Sequence, residues 1–179
     1  MRIISGKLKG IRLHPPTDLP VRPTTDRSKE ALFNILQHRV NWEDLYALDL
    51  FSGTGNISVE LASRGVNSVT AVDRNFKCCS FLKQLSEKHA LAIRVYREDV
   101  LRFIKRFNDQ FDFIFADPPF DMTELPQLPQ LIFDHHLLKP GGLLVIEHPS
   151  KRKIDQHIQF VEQRDYGYSA FSFYKQGAE

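Results

Sequence analysis

From residue 45 onward, short apolar runs alternate with amphipathic stretches in a strand, loop, helix rhythm. The runs predict strands at Leu45 to Phe51, Ser68 to Asp73, Ala92 to Arg97 and Phe111 to Ala116. Apolar residues at helical spacing predict helices near Ile57 to Arg64, Phe76 to His89 and Val100 to Phe107. Strands alternating with helices of this length are βαβ units, and strands this uniformly apolar belong to a parallel sheet covered on both faces. A polar connection containing Pro126 and Pro129 leads through a helix ending near Leu138. Lys139-Pro140-Gly141-Gly142 then turns into a strand at Leu143 to Glu147, and the last strands are predicted at Ile158 to Gln163 and Tyr168 to Lys175. The expected class is α/β, a mostly parallel doubly wound sheet with an antiparallel C-terminal strand.

Ahead of this core, residues 2–13 alternate apolar and polar positions (Ile3, Ile4, Leu8, Ile11, Leu13), with Gly6 and Gly10 as turn or bulge positions, so a short hairpin is expected there. Pro15 and Pro16 end it. After an irregular stretch to Pro23, Thr24 or Thr25 can cap a helix whose apolar face is Ala31, Leu32, Ile35 and Leu36. Residues 1–40 are read as a small hairpin-and-helix extension packed on a core of residues 41–179.

The chain has 179 residues, 42% hydrophobic and 26% charged, enough for one domain with a sizeable core. No apolar run approaches the ~20 residues that span a bilayer. The start, Met1-Arg2-Ile3-Ile4-Ser5-Gly6, lacks the features of a secretory signal, so a cytoplasmic protein is expected. Cys78 and Cys79 are adjacent in a helical segment, poorly placed for a mutual disulfide and too few for zinc, and read as buried thiols. No histidines stand at a metal-binding spacing, and no metal is expected. Charge changes the picture more. Residues 1–40 hold eight Lys and Arg against three acids, whereas the remainder is mildly acidic. Clustered positive charge is the footprint of a phosphate-backbone partner, here nucleic acid, although an ordinary solvated surface would look the same by charge alone.

Open α/β sheets bind ligands at the carboxyl ends of their strands. The loop after the first strand is Asp49-Leu50-Phe51-Ser52-Gly53-Thr54-Gly55. Gly53 and Gly55 permit a sharp turn and close backbone approach, amides of the next helix can donate to a ligand, and Asp49 adds a carboxylate acceptor. A pyrophosphate loop would carry G-x-G-x-x-G, but Phe51 precedes the glycines and Ser58 holds the final position. Asp73, at the end of the second strand and roughly 20 residues past the glycines, is placed to bind ribose hydroxyls, with Arg74 over an adenine face. Asp99, after the third strand, can accept from an adenine amino group, with the Val100 amide beside it. Alone, each acid would be a loop residue or a helix cap; recurring at successive strand ends, they fit an adenosine-containing cofactor.

The fourth strand ends in Asp117-Pro118-Pro119-Phe120. Two prolines remove two backbone donors and stiffen the turn, leaving carbonyls and the Asp117 carboxylate as acceptors. An exocyclic amine delocalises its lone pair into the ring. Acceptors for its N–H groups can turn that lone pair toward an electrophile. Phe120 can stack on a base removed from its helical stack.

Asp49 to Gly55, Asp73, Asp99 and the Pro-Gly-Gly turn resemble the ordered motifs of class I, Rossmann-like methyltransferases, which implies S-adenosylmethionine as cofactor, with Gly53 and Gly55 beneath its methionine part and Phe51 and Ser52 also binding it. Asp117 to Phe120 resembles the [DNS]-P-P-[YF] motif of amino-methyltransferases, where Asp favours nucleobases over glutamine. Arg2-Ile3-Ile4-Ser5-Gly6, Lys9-Gly10, Arg22-Pro23-Thr24-Thr25-Asp26-Arg27, Glu30 to Asn34, Leu48 to Gly55 and Asp117-Pro118-Pro119 are together similar to the 16S rRNA guanine-N2 methyltransferase D family. The resemblance implies methylation of one guanine N2 in small-subunit rRNA, within the 30S particle or an assembly intermediate; nothing in the sequence demands more than a monomer. It also implies that Arg22, Pro23 and Thr24 wall the site. Arg2, Lys7, Lys9, Arg12, Arg27 and Lys29 would face RNA. Adenine N6 as the target, or a module that binds without catalysis, stay open at this stage.

Overall fold

The strands β1 (Tyr46–Leu50), β2 (Ser68–Asp73), β3 (Ile93–Arg97), β4 (Phe111–Ala116), β5 (Leu138–Pro149), β6 (Phe160–Tyr166) and β7 (Ser169–Lys175) form one sheet in the order β3-β2-β1-β4-β5-β7-β6. The coordinates are a computed structural model that describes residues 1–19, 25–154 and 157–178. β1 to β5 run parallel, and β7 lies antiparallel between β5 and β6. The α/β class and the antiparallel C-terminal strand are as expected from the sequence.

Alternate strand residues feed two separate cores because successive side chains point to opposite faces. Phe113 and Phe115 of β4 join Ala47, Val69, Ala71, Val145 and Phe173 under the helices α1 (Asp26–Leu36), α2 (Asn56–Ser63) and α3 (Phe76–Lys88). Ile114 and Ala116 join Leu48, Leu50, Val72, Leu144 and Ile146 under α4 (Val100–Arg106) and α5 (Leu128–Asp134). Helix α1 is part of the first core: Leu32, Phe33 and Leu36 are buried, and Phe33 meets Trp42, which packs edge-on against Phe113 at 5.5 Å. Thr25 is its cap, accepting from the Ser28 amide at 3.1 Å.

Two expected elements differ. Residues 2–13 fold back on themselves, but they make one bridge, Arg2 with Arg12, among the described residues. The donors that would extend a ladder go to α2 instead: the amides of Ile4 and Ser5 reach Glu60 at 2.8 and 3.0 Å, and that of Lys7 reaches the Ser63 carbonyl at 2.8 Å. Gly6, at φ +81°, makes this approach possible, since a Cβ there would lie 1.7 Å from the Ser63 oxygen. Second, Leu138 begins β5 instead of ending a helix, and Lys139 to Gly142 lie inside the strand as an irregularity in its register with β4. The Gly141 amide bonds Gln176 and Gly177 carbonyls and the Gln176 amide bonds the Gly142 carbonyl, so backbone pairing draws the turn into the sheet.

The strand order reverses at β1. Its own helical crossover leads to β2 on one side, while β4 lies on the other, so the carboxyl ends of β1 and β4 open a crevice between them. Among the described residues no helix is long and apolar enough to cross a membrane.

Candidate active site

The loop after β1 and the turn after β4 line one cavity of about 1430 Å³. That exceeds the ~300–1,000 Å³ of a usual single-ligand site and leaves room for two ligands side by side. Every residue expected at the cofactor lines it except Gly55: Asp49, Phe51, Ser52, Gly53, Asp73, Arg74, Asp99 and Val100. Gly55 instead caps α2 at φ +84°, where a Cβ would strike the end of Leu82 at 2.3 Å. It shapes the loop from behind.

The three strand-end acids play distinct parts. Asp49 is buried and accepts from the Ser58 hydroxyl at 2.5 Å. Burial pushes its pKa up to about 7, the Ser58 hydrogen bond opposing and the charges of Asp117 and Asp73 adding. Asp73 accepts from the Gly53 amide and the Asn75 amide, each at 2.8 Å, which ties the glycine loop to the end of β2. Each carboxylate oxygen has more than one acceptor site, so hydroxyl groups of a ligand can share it. Asp99 caps α4, accepting from the Arg102 amide at 3.0 Å. The buried Ser52 hydroxyl has no hydrogen-bond partner. A polar group entering the loop would supply one, so the lining fits a nucleoside ligand with a charged tail.

At the other side, Asp117, Pro118, Pro119 and Phe120 all line the cavity, and Phe120 is 38% exposed. The Asp117 amide donates to the Leu50 carbonyl at 3.2 Å, fastening the turn to the end of β1. Arg152 grips the far side, donating to the carbonyls of Phe120, at 2.6 Å, and Met122. The Phe120 ring is thereby presented from a clamped backbone.

A family model described as "Conserved hypothetical protein 95" matches residues 1–175. The chain belongs to this family of S-adenosylmethionine-dependent methyltransferases. The methyltransferase is 33% identical to a Bacillus subtilis protein named "Putative rRNA methyltransferase YlbH", over 98% of both chains. It is 34% identical to ribosomal RNA small subunit methyltransferase D of Buchnera aphidicola, over 82% of this chain and 75% of that one. The Escherichia coli protein yhhF has the same fold, with a TM-score of 0.85 at 27% identity over 100% of this chain and 99% of that chain.

The basic residues are scattered over the methyltransferase. Arg27 is exposed at the cavity mouth beside Thr25 and Ser28. Lys7 and Lys9 are exposed where the N-terminal segment meets the far end of α2, away from the cavity, and Arg12 is exposed beside Arg2, which pairs with Glu30 at 3.3 Å. Arg22, Pro23 and Thr24 lie outside the described residues. Lys29 corrects its expectation: it is fully buried and cannot face RNA. Its ammonium donates to the Arg2 carbonyl at 2.6 Å and to Asn56 Oδ1 at 2.7 Å, and pairs with Glu60 at 3.5 Å. A helix heptad offers both solvent and core positions, and Lys29 falls on the inward face with Leu32, Phe33 and Leu36. Cys78 and Cys79 are buried, and burial pushes both thiols up to about 11.

Besides the exposed Asp121, Glu124 and Asp165, sequence reasoning missed a buried acid in the cavity wall. Glu147 of β5 is buried, and its Oε2 has no hydrogen-bond partner. Such a group typically costs ~1–3 kcal/mol. Burial pushes its pKa up to about 8, the charge of Asp117 adding and a hydrogen bond with Ser169 opposing. The signal was present: an acid closing a run of four apolar strand residues, Leu143 to Ile146.

Proposed function

We propose that this methyltransferase transfers the methyl group of S-adenosylmethionine to the exocyclic N2 amine of a guanine in 16S rRNA. The observation that carries the reading is that the Asp117-Pro118-Pro119-Phe120 turn and the Asp49 to Gly55 loop open into one cavity at the reversal point of the sheet. RNA as the substrate is supported by the names of the relatives and by Arg27 at the mouth.

Bound S-adenosylmethionine supplies an electrophilic methyl group on a sulfonium. The chain's part is to hold the acceptor. In this reading, Phe120 stacks on the extruded base, and the Asp117 carboxylate and the carbonyl of Pro118 accept the two N–H groups, directing the nitrogen lone pair outward. Methyl transfer would leave the nitrogen positively charged, and Asp117 would take the proton it loses. On the cofactor side, Asp73 would take the ribose hydroxyls and Asp99 the adenine amine, with Asp49 beneath the cationic methionine end.

The test is transfer of labelled methyl groups to 30S particles from a strain lacking the endogenous enzyme, followed by digestion to nucleosides. N2-methylguanosine from 16S RNA is expected. N6-methyladenosine as the product, or no label in any RNA, would overturn the reading.

The Asp49 assignment makes a second prediction. A carboxyl that titrates near 7 becomes an anion as pH rises, so affinity for the cationic cofactor should strengthen between pH 6 and 8, by up to about tenfold in all, and level off above. In Asp49→Asn the dependence should flatten. Calorimetric titration with S-adenosylmethionine across that range checks both, and an unchanged slope in the variant would count against Asp49.

A further inference from the structure

The parallel register of β4 and β5 pairs Ala116 with Ile146, so one step further Asp117, just past the end of β4, stands beside Glu147 of β5. Both line the cavity. Glu147 is 5% exposed, and its Oε2 is unpartnered. It is set between two neighbours in the sheet, with Phe171 of β7 opposite it in register, so its backbone position is fixed. The proposed function gives Asp117 a role and leaves this second acid beside it without one.

The chemistry of the acceptor base supplies one. In guanine the ring atom next to the exocyclic amine, N1, carries a hydrogen, so the base presents adjacent donors on that edge. In adenine the atom next to the amine is N1 with a lone pair, an acceptor. Two neighbouring carboxylates therefore match guanine and leave adenine with acceptor facing acceptor. A protonated carboxyl keeps an acceptor oxygen but adds an O–H that can meet a lone pair, so the discrimination belongs to the ionised form of Glu147.

We propose that Glu147 accepts the ring N1–H of the target guanine while Asp117 accepts from its N2 amine, making Glu147 the residue that selects guanine. This rests on the reading that Asp117 receives the amine. A site built to bond a substrate N–H rejects an analogue lacking it strongly, because its own buried group is left unpaired.

The test uses the full-length protein and 30S particles reconstituted with ligated 16S RNA that carries either guanosine or 2-aminopurine ribonucleoside at the methylated position. 2-Aminopurine keeps the amine and has a lone pair at N1. Measured above pH 8, where Glu147 is ionised, the wild type should favour guanosine by about 100-fold or more in kcat/KM. Glu147→Gln should narrow that ratio at least about tenfold, because a carboxamide can turn either its oxygen or its N–H to the base. A residue that only supports the fold would slow both substrates equally, so an unchanged ratio in the variant overturns the proposal. A wild-type preference below about threefold overturns it without any variant. If guanosine is methylated while the ratio stays fixed, only the Glu147 assignment fails; if the product is N6-methyladenosine, it falls together with the reading beneath it.

Discussion

Asp117→Ala should lower single-turnover methyl transfer by about 10³-fold while the cofactor still binds. The size follows from the two tasks the carboxylate would perform. Accepting an N–H that strengthens as the nitrogen becomes cationic is a preorganised electrostatic contact, a class worth ~10²–10³ in rate. Receiving the departing proton is general-base catalysis, worth ~10²–10⁴. The two share one group, so they do not multiply in full. Asp117→Asn separates them: the amide oxygen still accepts from the amine but is a poor base, and the loss should be intermediate. Cofactor binding is the control. Asp73 and the glycine loop are tied to each other through the Gly53 amide, so calorimetry with S-adenosylmethionine should show binding in both variants. Transfer by Asp117→Ala within tenfold of wild type would remove Asp117 from the chemistry.

Both halves of this site were legible in the sequence for the same reason. A ligand loop at a strand end must break the periodicity of the strand, and Ser52 to Gly55 and Pro118-Pro119 are breaks that only turn-forming residues can make. The strands themselves were legible because a doubly covered sheet demands apolar side chains on both faces. Glu147 was hidden by that same rule. It ends an apolar run and reads as the edge of a buried strand, and only the pairing of β4 with β5 brings it beside Asp117. Lys29 failed in the opposite direction. Charge counted along a chain and a resemblance of motifs both set Lys29 toward a phosphate partner, and neither carries direction; its position on the apolar stripe of α1 places it inward. Gly141 and Gly142 carry the local propensity of a turn, yet pairing with Gln176 overrides it.

The burial of Lys29 leads to the second large effect, on stability. Glu60 of α2 is fully buried and gathers the Ile4 amide, the Ser5 amide, the Arg64 guanidinium at 2.9 Å and the Lys29 ammonium. One carboxylate thus joins the N-terminal segment, α1 and the helix capped by Gly55. Glu60→Ala would leave an ammonium and two amides without it, and removing one partner of a buried pair costs ~3–5 kcal/mol. Against a total stability of ~5–15 kcal/mol, that is a large share. With ~2–4 °C lost per kcal/mol for a chain of this size, melting should fall by about 10 °C, read by scanning calorimetry. The loss should be directional. The amides freed are those of Ile4 and Ser5, so limited proteolysis should cut first within residues 1–13. Lys29 also holds Asn56, the first residue of α2, so cofactor affinity should weaken with the arm. Glu60→Gln, which keeps one acceptor oxygen, should lose less on every measure. A melting temperature for Glu60→Ala within about 2 °C of wild type would mean that water or a rearranged Lys29 replaces the carboxylate, and that the segment and the cofactor loop are not coupled through it.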